Sequence, residues 1–230
     1  MKIVLIHGQN HKGSTYHIGR MVAEKICPEG TIAEFFLPRD LNHFCTGCYA
    51  CIDDVTKCPF YEEKNRIMAE VEAADVLIFT TPTYALRESA PMKSFIDLTF
   101  NYWMSHRPRK CMFSKKAVVV STAAGTGAKK AVKYVANALF YWGIPRVWTY
   151  GISVQAMNWN GVKGKKKQKT EKKTARIADR VRKKAVKTGI KTKALFMLMR
   201  MMQKADLASG EPDKAYWEKN GWLAKERPWK

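Results

Sequence analysis

The sequence predicts an α/β fold: an open, doubly wound parallel sheet of five strands with helices on both faces, followed by a basic helical C-terminal extension. Three observations carry that expectation. Short apolar runs alternate with amphipathic stretches over residues 1–155. Several of the runs are near-continuous Val, Ile, Leu and Phe, the pattern of parallel strands buried on both faces. From Gly161 the composition turns lysine-rich, which marks a change of organisation.

In chain order, "KIVLIHG" (2–8), "TIAEFFL" (31–37), "DVLIFTT" (75–81), "KAVVVST" (116–122) and "PRVWTYGISV" (145–154) read as strands. Ile18, Val22 and Ile26 recur at spacing four and predict a helix after the first strand. Ile67, Val71 and Ala74 mark a second helix, and Val132, Val135 and Leu139 a fourth. The third opens with Ser89 as an N-cap and Pro91 near the first helical position, ahead of Phe95 and Ile96. Strand–helix alternation of this kind closes into a sheet whose ligands sit beyond the carboxyl ends of the strands. The loops to inspect are therefore 8–15, 81–88 and 121–127. Residues 1–160 are read as one domain with a cysteine-rich insertion at 42–60, and 161–230 as the extension.

Of the 230 residues, 46% are hydrophobic and 27% charged, ordinary globular values that exclude wholesale disorder. No apolar run reaches the roughly 18 residues of a transmembrane helix. The opening "MKIVLIHGQNHKGS" lacks both the apolar length and the small-residue cleavage site of a signal peptide. A cytoplasmic, thiol-reducing location is expected, which argues against a disulfide framework for the six cysteines. The net charge of +21 is concentrated: residues 163–193 hold twelve lysines and three arginines against only Glu171 and Asp179. Such a segment bears on attraction of polyanions and on solubility, not on fold.

The first loop, "HGQNHKGSTYHIGR", has Gly8 and Gly13 to relax the backbone, and Ser14 and Thr15 at the start of a helix. Free N–H groups, hydroxyls and the positive end of a helix dipole together make a cradle for one phosphate group. The same Ser-Thr pair also makes an ordinary helix cap. The glycine pattern of a dinucleotide turn and the G-K-[ST] of a nucleoside triphosphate loop are both missing. His7, His11 and His17 lie nearby and read as loop polarity or phosphate contacts rather than catalysts.

This loop resembles the "GSxRxxGNT" start of the flavodoxin-like NAD(P)H-dependent FMN reductase family, with Gln9 in place of Ser and Ser14 in place of Asn. The second loop, "TPTYALRESAPMKSFIDLT", is similar to the family's "sPvYxxxxsaxxKxFiDr" at Pro82, Tyr84, Ser89, Lys93, Phe95, Ile96 and Asp97. The third, "STAAGTGAKKAVKYVANALFYWGI", is similar to its small-residue and glycine loop with the following helix. The resemblance implies a flavodoxin-like sheet of order 2-1-3-4-5 that binds FMN at its C-terminal edge. The FMN phosphate would rest on Gln9, Ser14 and Thr15. The isoalloxazine ring would lie against Pro82, Thr83, Tyr84 and Ala85, flanked by Ala124, Gly125 and Thr126. Hydride from NAD(P)H would arrive at the flavin N5, so no side chain is named as general acid or base.

The remaining motif is "CTGCYACIDDVTKC", which places Cys45, Cys48, Cys51 and Cys58 at C-x2-C-x2-C-x6-C spacing. Compact thiolate sets of this kind hold iron–sulfur clusters, whereas structural zinc sites usually separate their Cys pairs further. The segment resembles the cysteine motif of iron–sulfur flavoproteins, a branch of the same fold, which implies a [4Fe-4S] cluster feeding FMN. A redox-sensitive or structural thiol loop and a zinc site are the other readings. Cys27 and Cys111 read as ordinary buried or half-buried thiols.

The extension carries "ALFMLM" and three of the seven tryptophans. Leu195, Phe196, Leu198, Met199 and Met202 read as a packing stripe with the lysines in solvent, and Trp217 and Trp222 as the docking surface of a homodimer or higher oligomer. An acidic redox partner protein or a peripheral membrane contact fits the charge, whereas nucleic acid is disfavoured because no aromatics interleave the lysines. Three functions are thus set against one another. They are an FMN-dependent oxidoreductase reducing flavin, quinone or another small acceptor, an iron–sulfur flavoprotein electron carrier, and a non-catalytic polyanion-binding module.

Overall fold

The computed structural model describes residues 1–207 and 210–230. Its sheet consists of β1 (Lys2–His7), β2 (Thr31–Phe36), β3 (Val76–Pro82), β4 (Lys116–Ala123) and β5 (Arg146–Ser153). All neighbours pair in parallel, in the order β2-β1-β3-β4-β5, which is the flavodoxin-like arrangement. β3 is buried along its whole length, and β1 and β4 at every position but their first, which accounts for their unbroken apolar runs.

Side-chain alternation divides the interior into two layers. Val4, Ile6, Leu77, Phe79, Ala117 and Val119 face one side. There they meet α4 (Tyr61–Ala73), α5 (Ala90–Leu98) and α6 (Ala128–Tyr141). Ile3, Leu5, Val76, Ile78, Val118 and Val120 face the other side, covered by α1 (Ser14–Ile26) and α7 (Gly164–Lys183). Two one-turn helices, α2 (Leu37–Asp40) and α3 (Ala50–Asp53), lie between β2 and α4.

The lysine-rich stretch that reads as a junction with a helix from 175 is helical from Gly164 onward. Thr170, Thr174, Ile177, Ala178 and Val181 form its buried stripe, and Ile177, Ala178 and Val181 join the core beneath the sheet. Lysines and arginines at most other positions of the helix mask this stripe in the sequence. Lys25 is ion-paired with Glu171, and Arg182 donates to the Lys25 carbonyl at 2.7 Å, so α7 is tied along α1.

α8 (Ile190–Lys204) and α9 (Glu211–Lys219) build a separate aromatic cluster with Met104 and Phe113. Phe196 stacks on Trp217 at 4.7 Å between ring centroids, and Trp222 meets both edge-on. Trp217 and Trp222 are therefore buried within the chain, not displayed as an oligomer surface. Their pairing with Phe196 hides them, a contact that the spacing of the aromatics does not reveal. Among the described residues no helix is long and apolar enough to cross a membrane.

Candidate functional site

The three loops beyond β1, β3 and β4 meet because those strands are neighbours in the sheet. Hydroxyl and backbone contacts bind them to one another. Gly8 N–H donates to the Thr80 carbonyl at 2.7 Å, and the Ser89 hydroxyl donates to the Gly8 carbonyl at 2.7 Å. A Cβ on Gly8 would stand 2.5 Å from that Ser89 oxygen, so the close approach requires glycine. Ser89 flanks α5 as expected, but its side chain makes no cap; it secures the first loop instead.

At the start of α1, Thr15 Oγ1 lies 2.5 Å from Thr122 Oγ1, joining the first and third loops. Gly13 occupies the N-cap and supplies no side-chain acceptor. The helix therefore begins with N–H groups that its own geometry leaves over. Beside them, the buried Ser14 hydroxyl and the Gln9 Oε1 have no hydrogen-bond partner, while Gln9 Nε2 donates to the His11 carbonyl at 3.1 Å. Buried polar atoms are normally paired. Gln9 Oε1 is itself an acceptor, whereas the Ser14 hydroxyl and the free N–H groups at this end of the helix call for an acceptor-rich group. A phosphate fits it.

In the second loop Pro82 ends β3, and Thr83 is held by its N–H to the Thr122 carbonyl at 2.8 Å and by its hydroxyl to Ser121 Oγ at 2.8 Å. Tyr84 and Arg87 exchange backbone hydrogen bonds at 3.1 and 3.0 Å around a tight turn. The central residues, Ala85 and Leu86, have φ of 47° and 66°. Such turns favour Asn and Gly, so Ala and Leu here carry strain that the surroundings must over-determine. Tyr84 is exposed, and the Arg87 guanidinium lies 3.4 Å from the centroid of Tyr134.

In the third loop, Ala124, Gly125 and Thr126 are exposed. Gly127, at φ 96°, caps α6; a Cβ there would fall 2.9 Å from Thr83 Cγ2 and 3.0 Å from Leu86 Cα. The two loops thus touch at a point with no room for a side chain. Gly125, Thr126 and Leu86 line a cavity of about 400 Å³ with Lys129, Lys130 and Ser153. An apolar, exposed rim over amide groups suits one face of a flat uncharged ring.

His7 is a contributor whose role the sequence does not disclose. It is fully buried, with Nδ1 2.7 Å from Thr80 Oγ1 and its ring stacked on Phe36 at 4.6 Å. Its Nε2 lies 3.7 Å from Glu34, and Arg20 is 3.2 Å from the same carboxylate. The neighbouring imidazole, then Arg20, holds the Glu34 carboxyl below its ordinary range. His11 is exposed, and His17 stacks on Trp159 at 6.0 Å.

All four clustered cysteines are free and line one cavity of about 370 Å³, together with Ile96, Asp97, Phe100 and Trp103. Cys45 and Cys48 are exposed, Cys58 half-buried and Cys51 buried. Burial pushes the Cys51 thiol up, opposed by the Lys64 ammonium. Among the described residues no three Cys, His, Asp or Glu side chains stand close enough to hold a metal ion. Four cysteine thiolates are nonetheless a donor set that iron–sulfur clusters use. The cavity lies against the C-terminal half of α5, and no residue of the three loops lines it. The second loop and the cysteine cavity thus stand at opposite ends of one nine-residue helix, about 13 Å long at 1.5 Å per residue.

The family model of NADPH-dependent FMN reductases matches residues 1–156. An iron–sulfur flavoprotein of Archaeoglobus fulgidus is 32% identical over 103 residues, 44% of this chain and 44% of that relative. The chain therefore spans less than half of that relative's length. An iron–sulfur flavoprotein of Methanocaldococcus jannaschii is 27% identical over 145 residues, 60% of this chain and 70% of the relative. Among solved structures, an FMN-dependent NADH-azoreductase of Bacillus anthracis in complex with FMN superimposes with a TM-score of 0.59 at 12% identity. That match covers 79% of this chain and all of the other, a likeness of fold.

Proposed function

The chain belongs to the NADPH-dependent FMN reductase family, and from that premise we propose that it is an FMN-dependent oxidoreductase taking hydride from NAD(P)H and reducing a flavin, a quinone or another small acceptor. Bound FMN supplies the hydride acceptor and donor, at its N5. The chain supplies the rest. Ser14 offers its unpaired hydroxyl to the phosphate and Gln9 the second N–H of its Nε2 amide, while Thr15, locked on Thr122, fixes the start of α1 against it. Pro82, Thr83, Tyr84 and Ala85 form the wall for the ring, and the strained turn at Ala85 and Leu86 presents backbone groups to its polar edge. Ala124, Gly125 and Thr126 close the other flank. No general acid or base is required of the protein, whose part is position and electrostatics.

The single observation that carries this reading is the unsatisfied buried hydroxyl of Ser14 at an uncapped helix start. FMN titration followed by flavin fluorescence tests it. Ser14→Ala should weaken FMN by about tenfold, the worth of one hydrogen bond to a charged group. A wild-type chain that binds no FMN would sink the proposal.

A second reading concerns the cysteine cavity, favoured by four free thiols on one cavity wall and by the names of two relatives. Here Cys45, Cys48, Cys51 and Cys58 would hold a [4Fe-4S] cluster, which would supply one-electron chemistry beside the flavin site. Iron and sulfide analysis of anaerobically prepared protein decides it: about four irons per chain support it, and zinc or no metal refutes it. We assign contact with an acidic redox partner to the lysine face where Lys129 and Lys133 of α6 meet Lys165, Lys169 and Lys172 of α7. Such contact would weaken steeply with salt.

A further inference from the structure

The C-terminal segment grips the stretch between α5 and β4 at three successive points. Gln203 Nε2 donates to the Ser105 carbonyl at 3.0 Å, Trp217 Nε1 to the His106 carbonyl at 2.6 Å, and Tyr216 OH to the Pro108 carbonyl at 2.7 Å. Between these points Asp213, in the first turn of α9 and fully buried, contacts two side chains of the gripped stretch. Its Oδ2 lies 2.8 Å from His106 Nδ1, and its Oδ1 lies 2.7 Å from Arg107 Nε.

Arg107 is itself buried, and its far end points to the cysteine segment. Nη2 donates to the carbonyl of Cys51 at 3.0 Å and also to that of Ile52. α3 is a single turn, so its last carbonyls have no partner within the helix. A cation at a helix C-terminus satisfies them and opposes the local dipole. A buried guanidinium needs a counter-charge to remain there, and Asp213 provides it.

We propose that the C-terminal segment is a latch on the cysteine loop: Asp213 fixes Arg107, and Arg107 caps α3 so that Cys51 is held in the wall of the cavity. Arg107 and Asp213 are positioning residues, not ligands. The meaning of the latch for metal retention rests on the iron–sulfur reading, but the hold on Cys51 does not.

The test uses the full-length, metal-free chain and the rate of Cys51 alkylation by iodoacetamide, read by peptide mass spectrometry. Cys27, at the end of α1 and remote from the latch, is the internal reference. Asp213→Asn should raise the Cys51 rate relative to Cys27 by about tenfold or more, since it removes a charged partner from a locally opening unit. Arg107→Lys, unable to bridge a carboxylate and two carbonyls at once, should fall between wild type and Asp213→Asn. The pair Arg107→Met with Asp213→Leu removes both charges together and guards against unfolding by an orphaned one. It too should release Cys51 while FMN affinity stays within about twofold of wild type, a change under half a kcal/mol.

Anaerobic iron and sulfide loading, followed by a chelator wash, should leave less iron on the variants than on wild type. A Cys51-to-Cys27 ratio unchanged in both Asp213→Asn and the double variant overturns the latch, as does a parallel rise of both cysteines, which means general loosening. A wild type that takes no iron defeats the iron–sulfur reading alone, and the alkylation ratio still judges the latch.

Discussion

Around the three strand-end loops, side-chain hydroxyls and backbone groups from adjacent strands bind one another directly: Thr15 to Thr122, Thr83 to Ser121, Ser89 to Gly8. Around the cysteine cavity the local chain has little such support, with Cys45 and Cys48 exposed and α3 only one turn long. Its support comes from far along the sequence, through Arg107 and α9. One site is built by the sheet and the other is propped by the end of the chain. The two should therefore fail separately.

Removing the heart of the prop should show the largest effect. Trp217→Ala deletes a fully buried indole and should cost about 3–5 kcal/mol. In urea followed by tryptophan fluorescence and by FMN binding, the fluorescence change should come first, with FMN still bound. Simultaneous loss of both signals would mean that the two regions are one cooperative unit.

On the sheet side, Gly127→Val places a side chain against Thr83 and Leu86 at positive φ and should destabilise by about 1–3 kcal/mol. FMN affinity should fall, while Cys51 alkylation stays at the wild-type rate. The reverse pattern would place the third loop outside the flavin site.

Ala85→Gly relaxes a left-handed residue and should gain about 0.5–1 kcal/mol in thermal unfolding, after the entropy cost of the added glycine. If the turn presents backbone to the flavin, FMN should bind more weakly despite the gain in stability. The smallest effect is expected at Glu34. Its carboxyl is held below the ordinary glutamate range, so it contributes stability above that range and loses it as pH falls through it. Glu34→Gln should flatten the acid limb of the stability curve and lower stability slightly at pH 7 to 8, where the wild-type carboxylate contributes in full.

The sheet was legible because a strand buried on both faces announces itself by an unbroken apolar run, and each loop followed from where its strand stopped. Ser14 and Thr15 were legible as a helix start, and the structure adds that the Ser14 hydroxyl is buried without a partner while Thr15 pairs with Thr122. Ser89 looked like a cap, yet its hydroxyl serves a carbonyl 81 residues earlier, which local pattern cannot disclose. α7 was partly hidden because lysine occupies so much of its solvent face that its threonine and alanine stripe carries little hydropathy. Arg107 and Asp213 were illegible altogether: each is an ordinary charged residue until α9 folds back across 107 positions to His106 and its neighbour.

That return has a consequence for the order of events in synthesis. In a chain made from its N-terminal side, Cys51 emerges about 160 residues ahead of Asp213. At about 5–20 residues per second, the interval is on the order of ten seconds. Throughout it the sheet can assemble while α3 lacks its cap and the thiols face solvent. Until α9 folds back, Cys51 thus lacks the hold that Arg107 and Asp213 give it in the folded chain.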